Sequence, residues 1–255
     1  ITPPSVSPDA VFRGIVMGDS NQMALAAIKM ASSEPGRLSP VCLHGPPGCG
    51  KSMLLSAIAH HLRCNLRMRR VVMMTSEQFT NDFTEGLRGG GLPMFRRKYR
   101  DVEALLLDDL QFFAGKRSTL AEVRHTIDNL IRVGKQVVVS LDRPFSDLPQ
   151  LGDELLGRLR GGLVTPIFPL DSCIRHSLLK RLTHEAGIQL EEGVLEQLAD
   201  RLAGDGRLIR GVVHRLMAVA SLHQVRLTWD RSWSAVCDLV QANQPVVRLS
   251  DIERT

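Results

Sequence analysis

A chain of 255 residues, 44% apolar, is long enough for one large domain or for a medium and a small one around a sizeable core. Aromatic residues make up only 4%, so aliphatic packing must carry most of that core, and a formal charge of +5 permits contact with nucleic acid without establishing it. Five cysteines (Cys42, Cys49, Cys64, Cys173, Cys237), odd in number and never spaced C-x-x-C, argue against a disulfide framework or a zinc site and for a reducing, cytoplasmic compartment, while no apolar run predicts a membrane span.

No signal peptide is evident, and the chain opens on Ile1 rather than methionine, which predicts a piece of a longer protein. Residues 1–10 carry three prolines and read as an arm or linker. A helical pattern follows over 21–31, broken by "EPGR", and residues 41–43 form a short buried strand. That strand runs into the glycine-rich "HGPPGCGKSMLL", behind which Leu54, Leu55, Ile58 and Leu62 recur at helical spacing. A strand at 71–74 precedes a helix, "SEQFTNDFTEGL", with Ser76 as its N-cap. "RGGGLP" reads as a turn and "MFRRKYRDV" as a short basic segment. Strands at 104–107 and 136–140 flank a helix at about 120–133. The fifth strand, "LVTPIF" at 163–168, contains Pro166, which cannot donate to a ladder and so predicts a sheet edge. From residue 171 only helical periods follow, enough for three or four helices. Alternating strands and helices predict an α/β fold, a three-layer αβα domain on a five-stranded parallel sheet. The expected division is an arm at 1–10, the αβα unit at 11–169, a helical lid at 170–240 and a linker at 241–255.

Gly45-Pro-Pro-Gly48-Cys49-Gly50-Lys51-Ser52 satisfies G-x-x-x-x-G-K-[ST] with a strand before it and a helix after it. Glycines let the backbone curl so that successive N–H groups face an anion, and the helix N-terminus adds partial positive charge. Lys51, read as a surface charge, reaches the outer phosphates, while Ser52 can ligate Mg²⁺; the ligand is ATP or ADP. "ALLLDDL" then delivers Asp108 and Asp109 at the end of a buried strand. Asp108 would hold the metal through water, and Asp109 would orient or deprotonate the attacking water.

"FRGIVMGDSNQMALAA", the glycine loop, "SEQFTND", "FRRKYRDVEALLLDDLQFFAGK", "HTIDNL", "GKQVVVSLDRP" and "GRLRGGL" occur in that order. Over residues 10–240 this pattern resembles the AAA+ domain of the bacterial chromosomal replication initiators of the DnaA family. The resemblance implies an ATPase switch that assembles with ATP into an open helical oligomer and engages single-stranded DNA, with the replicative helicase or its loader as a further partner. Ile15, Val16 and Asn21 match the segment that closes over adenine, Ile15 and Val16 being equally readable as core aliphatics. Met53 continues the phosphate loop. Asp142 matches the polar sensor, and Arg207, in "GDGRLIRGVV", the second sensor. Arg158 matches an arginine finger for a neighbouring subunit; composition alone reads it as a surface arginine, and Arg160 stands beside it. Lys116 and Arg117 match a basic loop that meets DNA, although Ser118 and Thr84 depart from the family's usual residues. Phe95, Arg96, Arg97, Lys98, Tyr99 and Arg100 read either as a nucleic-acid patch or as two core-facing rings among solvated cations. The resemblance implies that the family's duplex-reading domain would follow this stretch of chain.

Two relatives share parts of this pattern. Helicase loaders tend to carry asparagine where Asp142 stands before Arg143-Pro144, and regulatory ATPases of the same family have more degenerate nucleotide motifs than "GKS" and "LLLDD". A scaffold holding ADP permanently is the alternative of a different class.

Overall fold

The computed structural model describes residues 12, 14–202, 204–223 and 226–242, in two compact units, Ile1–Phe168 and Pro169–Thr255. The arm expected at 1–10 and the linker from residue 243 onward lie outside the described residues.

The first unit is a parallel sheet in the order β2-β3-β4-β1-β5, formed by β1 (Val41–His44), β2 (Val71–Thr75), β3 (Ala104–Asp108), β4 (Gln136–Leu141) and β5 (Leu163–Pro166). Every residue of β3 and β4 is buried, as expected of parallel strands covered on both faces. Pro166 closes β5 at the sheet edge, where the missing N–H costs no ladder bond. The helices are α1 (Gln22–Ser33), α2 (Lys51–Cys64), α3 (Ser76–Arg88), α4 (Leu92–Arg100), α5 (Arg117–Arg132) and α6 (Asp153–Arg160).

Successive strand side chains point to opposite faces, and that period of two sorts the core. Cys42, Leu105, Leu107, Val137 and Val139 pack with Phe79, Phe95, Tyr99 and Leu156 of α3, α4 and α6. Val41, Leu43, Leu106 and Val138 pack with Ile28 of α1 and Leu55 and Ile58 of α2. The same parity puts Asp108 and Ser140 on the α2 face.

Several boundaries differ from expectation. Thr75, not Ser76, caps α3: its side chain accepts from the Gln78 N–H while the Gln78 side chain accepts from the Thr75 N–H, a capping box. Ser76 is buried and donates its hydroxyl to the Asp108 carbonyl at 3.2 Å. "RGGGLP" is a turn only over its glycines, because Pro93 sits in the first turn of α4, where its missing N–H would be unpaired anyway. Helix α5 begins at Arg117 rather than near 120; its first inward residues are the polar Thr119 and Glu122, so no apolar period marks the start.

The second unit contains α7 (Ser172–Glu185), α8 (Val194–Arg201), α9 (Gly206–His223) and α10 (Trp229–Ala242). The guanidinium of Arg201 on α8 lies over Trp229 at 4.7 Å and over Trp233 at 5.8 Å, joining α8 to α10.

Candidate functional site

Because the sheet is parallel, the carboxyl ends of β1, β3 and β4 share one edge of the first unit, and β4 lies between the other two. The glycine loop follows β1 there. Gly48 and Gly50 adopt φ of 73° and 103°, a region closed to most side chains, and Gly50 caps α2. At Gly45 a Cβ would stand 2.1 Å from the Ile167 carbonyl oxygen, so only glycine fits.

Lys51 is buried rather than a surface charge, with 6% exposure. Its ammonium donates to the carbonyls of Gly45 at 2.6 Å and Pro46 at 2.8 Å, with Cys49 Sγ at 3.8 Å. Burial pushes the Cys49 thiol up, against the pull of the neighbouring ammonium, so it is a neutral neighbour. Ser52 and Met53 are exposed in the first turn of α2.

Asp108 is the last residue of β3 and is buried, while Asp109 is the first beyond it. Ser140 donates its hydroxyl to Asp108 Oδ1 and accepts from the Asp109 N–H at 2.9 Å. Asp109 takes the left-handed conformation, φ 59° and ψ 54°. Its Oδ1 accepts from Gln111 Nε2 at 3.0 Å, and Gln111 Oε1 accepts from the Asp142 N–H at 3.2 Å. Asp142 thus joins the acids through its backbone, while its carboxylate is bound by Arg143 at 3.0 and 2.7 Å. Neither Ser140 nor Gln111 is marked by the sequence: Ser140 reads as a strand residue, and Gln111 only as part of the run that follows the twin acids.

Among the described residues no group of three or more His, Cys, Asp or Glu could hold a metal. The Ser52 hydroxyl and the Asp108 carboxylate are nevertheless the hard oxygen donors Mg²⁺ prefers, and that ion commonly takes one or two protein oxygens beside water and phosphate. The donor set therefore fits Mg²⁺ brought with a nucleotide.

Ile15 is buried among Phe12, Ala24 and Leu54 of the α1–α2 core, and Val16 is half-buried. Asn21 is a buried clamp: its Oδ1 accepts from the Gly18 N–H at 3.0 Å and its Nδ2 donates to the Val16 carbonyl at 2.8 Å. It shapes the segment expected to close over adenine.

Arg158, in the last turn of α6, is exposed and pairs with Asp128 of α5 at 3.0 Å. The two line a groove of about 610 Å³ with Arg100, His125 and Arg132. Arg160 instead lies over the Phe145 ring at 5.9 Å. Arg207 belongs to the second unit, exposed at the start of α9, where Asp205 Oδ1 accepts from its backbone N–H.

Lys116 caps α5 and is half-buried, and Arg117 is exposed on its first turn. On α4 the two rings face the core, as the second of the two readings has it. Phe95 and Tyr99 are buried, packing against each other and on Phe79 at ring distances of 4.8–5.2 Å. Arg96 and Arg100 both donate to the buried Glu122, at 3.0 and 2.6 Å, and Lys98 donates to Asp82 at 2.5 Å. Arg97 approaches Asp101 at 3.8 Å. Arg96 and Arg100 are thus tied to a buried acid of the fold, while Arg97 and Lys98 remain largely exposed.

A phosphate loop after β1, twin acids at the end of β3 and a polar residue after β4 define a P-loop nucleotide-binding protein of the AAA+ type. The bacterial DnaA ATPase domain family matches residues 6–166. Among curated relatives, the chromosomal replication initiator protein DnaA of Nautilia profundicola is 34% identical over 98% of this chain and 57% of its own length. That of Thermomicrobium roseum is 37% identical over 86% of this chain and 48% of its own. The chain thus spans about half the length of the relatives it matches. Domain III of Thermotoga maritima DnaA superposes with a TM-score of 0.87 at 31% identity, covering 93% of this chain and all of that one. A DnaA bound to AMPPCP and single-stranded DNA gives 0.74 at 30% identity, covering 84% and 65%. AMPPCP-bound DnaA from Aquifex aeolicus gives 0.78 at 27% identity, covering 98% and 78%. The chain belongs to the bacterial DnaA ATPase domain family.

Proposed function

We propose that this chain is the nucleotide switch of a cytoplasmic replication initiator. It binds ATP or ADP, hydrolyses ATP slowly, and assembles with ATP into an open helical oligomer that engages single-stranded DNA and meets the replicative helicase or its loader. The observation that carries the reading is the shared edge of β1, β3 and β4, which gathers the glycine loop, Asp108, Asp109 and Asp142. Among the described residues no helix is long and apolar enough to cross a membrane.

The loop N–H groups and the α2 N-terminus bind the phosphates, and the Lys51 ammonium, already aimed into the loop, exchanges carbonyl partners for phosphate oxygens. Mg²⁺ held by Ser52 and Asp108 would neutralise phosphate charge. Asp109 accepts a proton from water as the water oxygen bonds to the γ-phosphorus; the bond to the β–γ bridging oxygen breaks, and ADP and inorganic phosphate leave. Asp142 senses the γ-phosphate, and Arg207 is the second sensor. Arg158 serves a neighbouring copy: its pairing with Asp128 is solvent-exposed and worth at most about 1 kcal/mol, so a phosphate can replace it.

Sedimentation with ATP analogue, ADP or no nucleotide, with and without single-stranded DNA, tests the switch. Large species are expected with the analogue alone, and a fixed oligomer in all three states favours the scaffold. Arg158→Ala should bind ATP like the parent yet remain monomeric; if it assembles normally, Arg160 is the residue to test.

A further inference from the structure

The two acids do not account for the hydrogen-bonded chain in which they stand. Asp109 and Arg67 are the two described non-glycine residues with positive φ, a conformation that persists where its surroundings hold it. Asp109 is held from both sides. Buried Ser140 accepts from its backbone N–H at 2.9 Å, and the Gln111 amide donates to its Oδ1 at 3.0 Å. Each holder has a second attachment. The Ser140 hydroxyl donates to Asp108 Oδ1, and Gln111 Oε1 accepts from the Asp142 N–H at 3.2 Å. One chain of bonds therefore runs from Asp108 through Ser140, Asp109 and Gln111 to the segment after β4.

We propose that Gln111 and Ser140 are positioning residues for ATP hydrolysis, an inference that rests on the nucleotide reading above. Gln111 fixes one carboxylate oxygen of Asp109 and leaves Oδ2 to accept the proton of water. Ser140 fixes the backbone from which that carboxylate projects and, through the same hydroxyl, the orientation of Asp108. Because the other end of the Gln111 amide is bonded to Asp142, a shift of the sensor segment moves the base. Substrate geometry at the γ-phosphate is thereby coupled to the readiness of Asp109 without either group touching the other.

The test compares Gln111→Ala, Ser140→Ala and Ser140→Thr with the parent in single-turnover hydrolysis, fluorescent-nucleotide affinity and backbone amide exchange. Affinity should stay within about twofold while hydrolysis in both alanine variants falls roughly 10- to 100-fold, the usual effect of misplacing a reacting group. Ser140→Thr, which keeps the hydroxyl, should recover most of the rate. The double alanine variant should fall by less than the product of the single effects, since both act on Asp109. Exchange of the Asp109 amide should quicken in Ser140→Ala and stay slow in Ser140→Thr. Gln111 is only partly buried, so its variant tests the idea even if Ser140→Ala folds poorly. Parental hydrolysis in Gln111→Ala, or affinity and rate lost in equal proportion, overturns the positioning role. A parent that neither binds nor hydrolyses ATP overturns the nucleotide reading instead, whereas an Asp109 amide that exchanges equally in all variants overturns the clamp alone.

Discussion

The glycine loop and helix α4 are both cationic stretches of this chain, and the structure uses their charge in opposite ways. Lys51 is a lone ammonium surrounded by carbonyls of its own loop, neutral acceptors that bring no countercharge. Arg96, Lys98 and Arg100 face only two carboxylates, Glu122 of α5 and Asp82 of α3, and are partly neutralised where they stand. The difference teaches that a count of cations along a sequence measures neither free charge nor a binding surface. What decides is how many acids the fold sets against the cations and how buried those pairs are.

The largest expected effect breaks the first half of that comparison. Lys51→Ala should weaken ATP and ADP by roughly 100-fold or more, because hydrogen bonds to a charged group are worth about 1.5–3 kcal/mol each. Since Lys51 is buried, the variant should also melt a few degrees lower, as the Gly45 and Pro46 carbonyls lose their donor. Nucleotide titration and calorimetry measure the two effects, and unchanged affinity would sink the assignment.

The next breaks the second half. Burial alone would raise the Glu122 carboxyl, but hydrogen bonds from Arg96 and Arg100 outweigh it and hold the group below its usual 4.5. Asp82 is lowered in the same way, burial opposing and Lys98 and Tyr99 prevailing. A depressed carboxylate contributes stability that is present above its unfolded pKa and lost as pH falls through the folded one. Glu122→Gln should therefore cost about 1–3 kcal/mol near neutrality, a buried-pair figure discounted for the exposure of both arginines. The cost should shrink in urea titrations as the pH drops below 4.5. The same variant frees two cations, so its affinity for single-stranded DNA should rise above the parent's and steepen in salt. No gain would mean that α4 is remote from any DNA path.

The smallest effect sharpens the contrast. Among the described ion pairs none involves Lys116 or Arg117, so these two are the cations to compare with α4. Their double alanine variant should lower the log–log salt slope of single-strand binding by about 1.4, or 0.7 for each phosphate no longer neutralised. Alanine at Arg97 and Lys98 should lower the slope by less, because Asp101 and Asp82 compete with phosphate for these two cations. Equal slopes in parent and Lys116/Arg117 variant would make those residues solvated surface.

Local pattern settled much of this protein in advance. The glycine loop, the twin acids, the five strands and the edge position set by Pro166 each rest on residues adjacent in the chain, where stereochemistry and hydrophobic period act directly. Phe95 and Tyr99 were legible as alternatives, and helical spacing could not choose between them without the partner helices. Other features depend on atoms brought together from afar. Ser140 meets Asp108 across 32 positions, Gln111 reaches Asp142 across 31, and Glu122 collects Arg96 and Arg100 from another helix. The burial of Lys51 likewise needed the curled loop in three dimensions. A side chain's chemical type is written in the sequence; its partners are chosen only when the sheet order and the helix faces bring distant segments within hydrogen-bond reach.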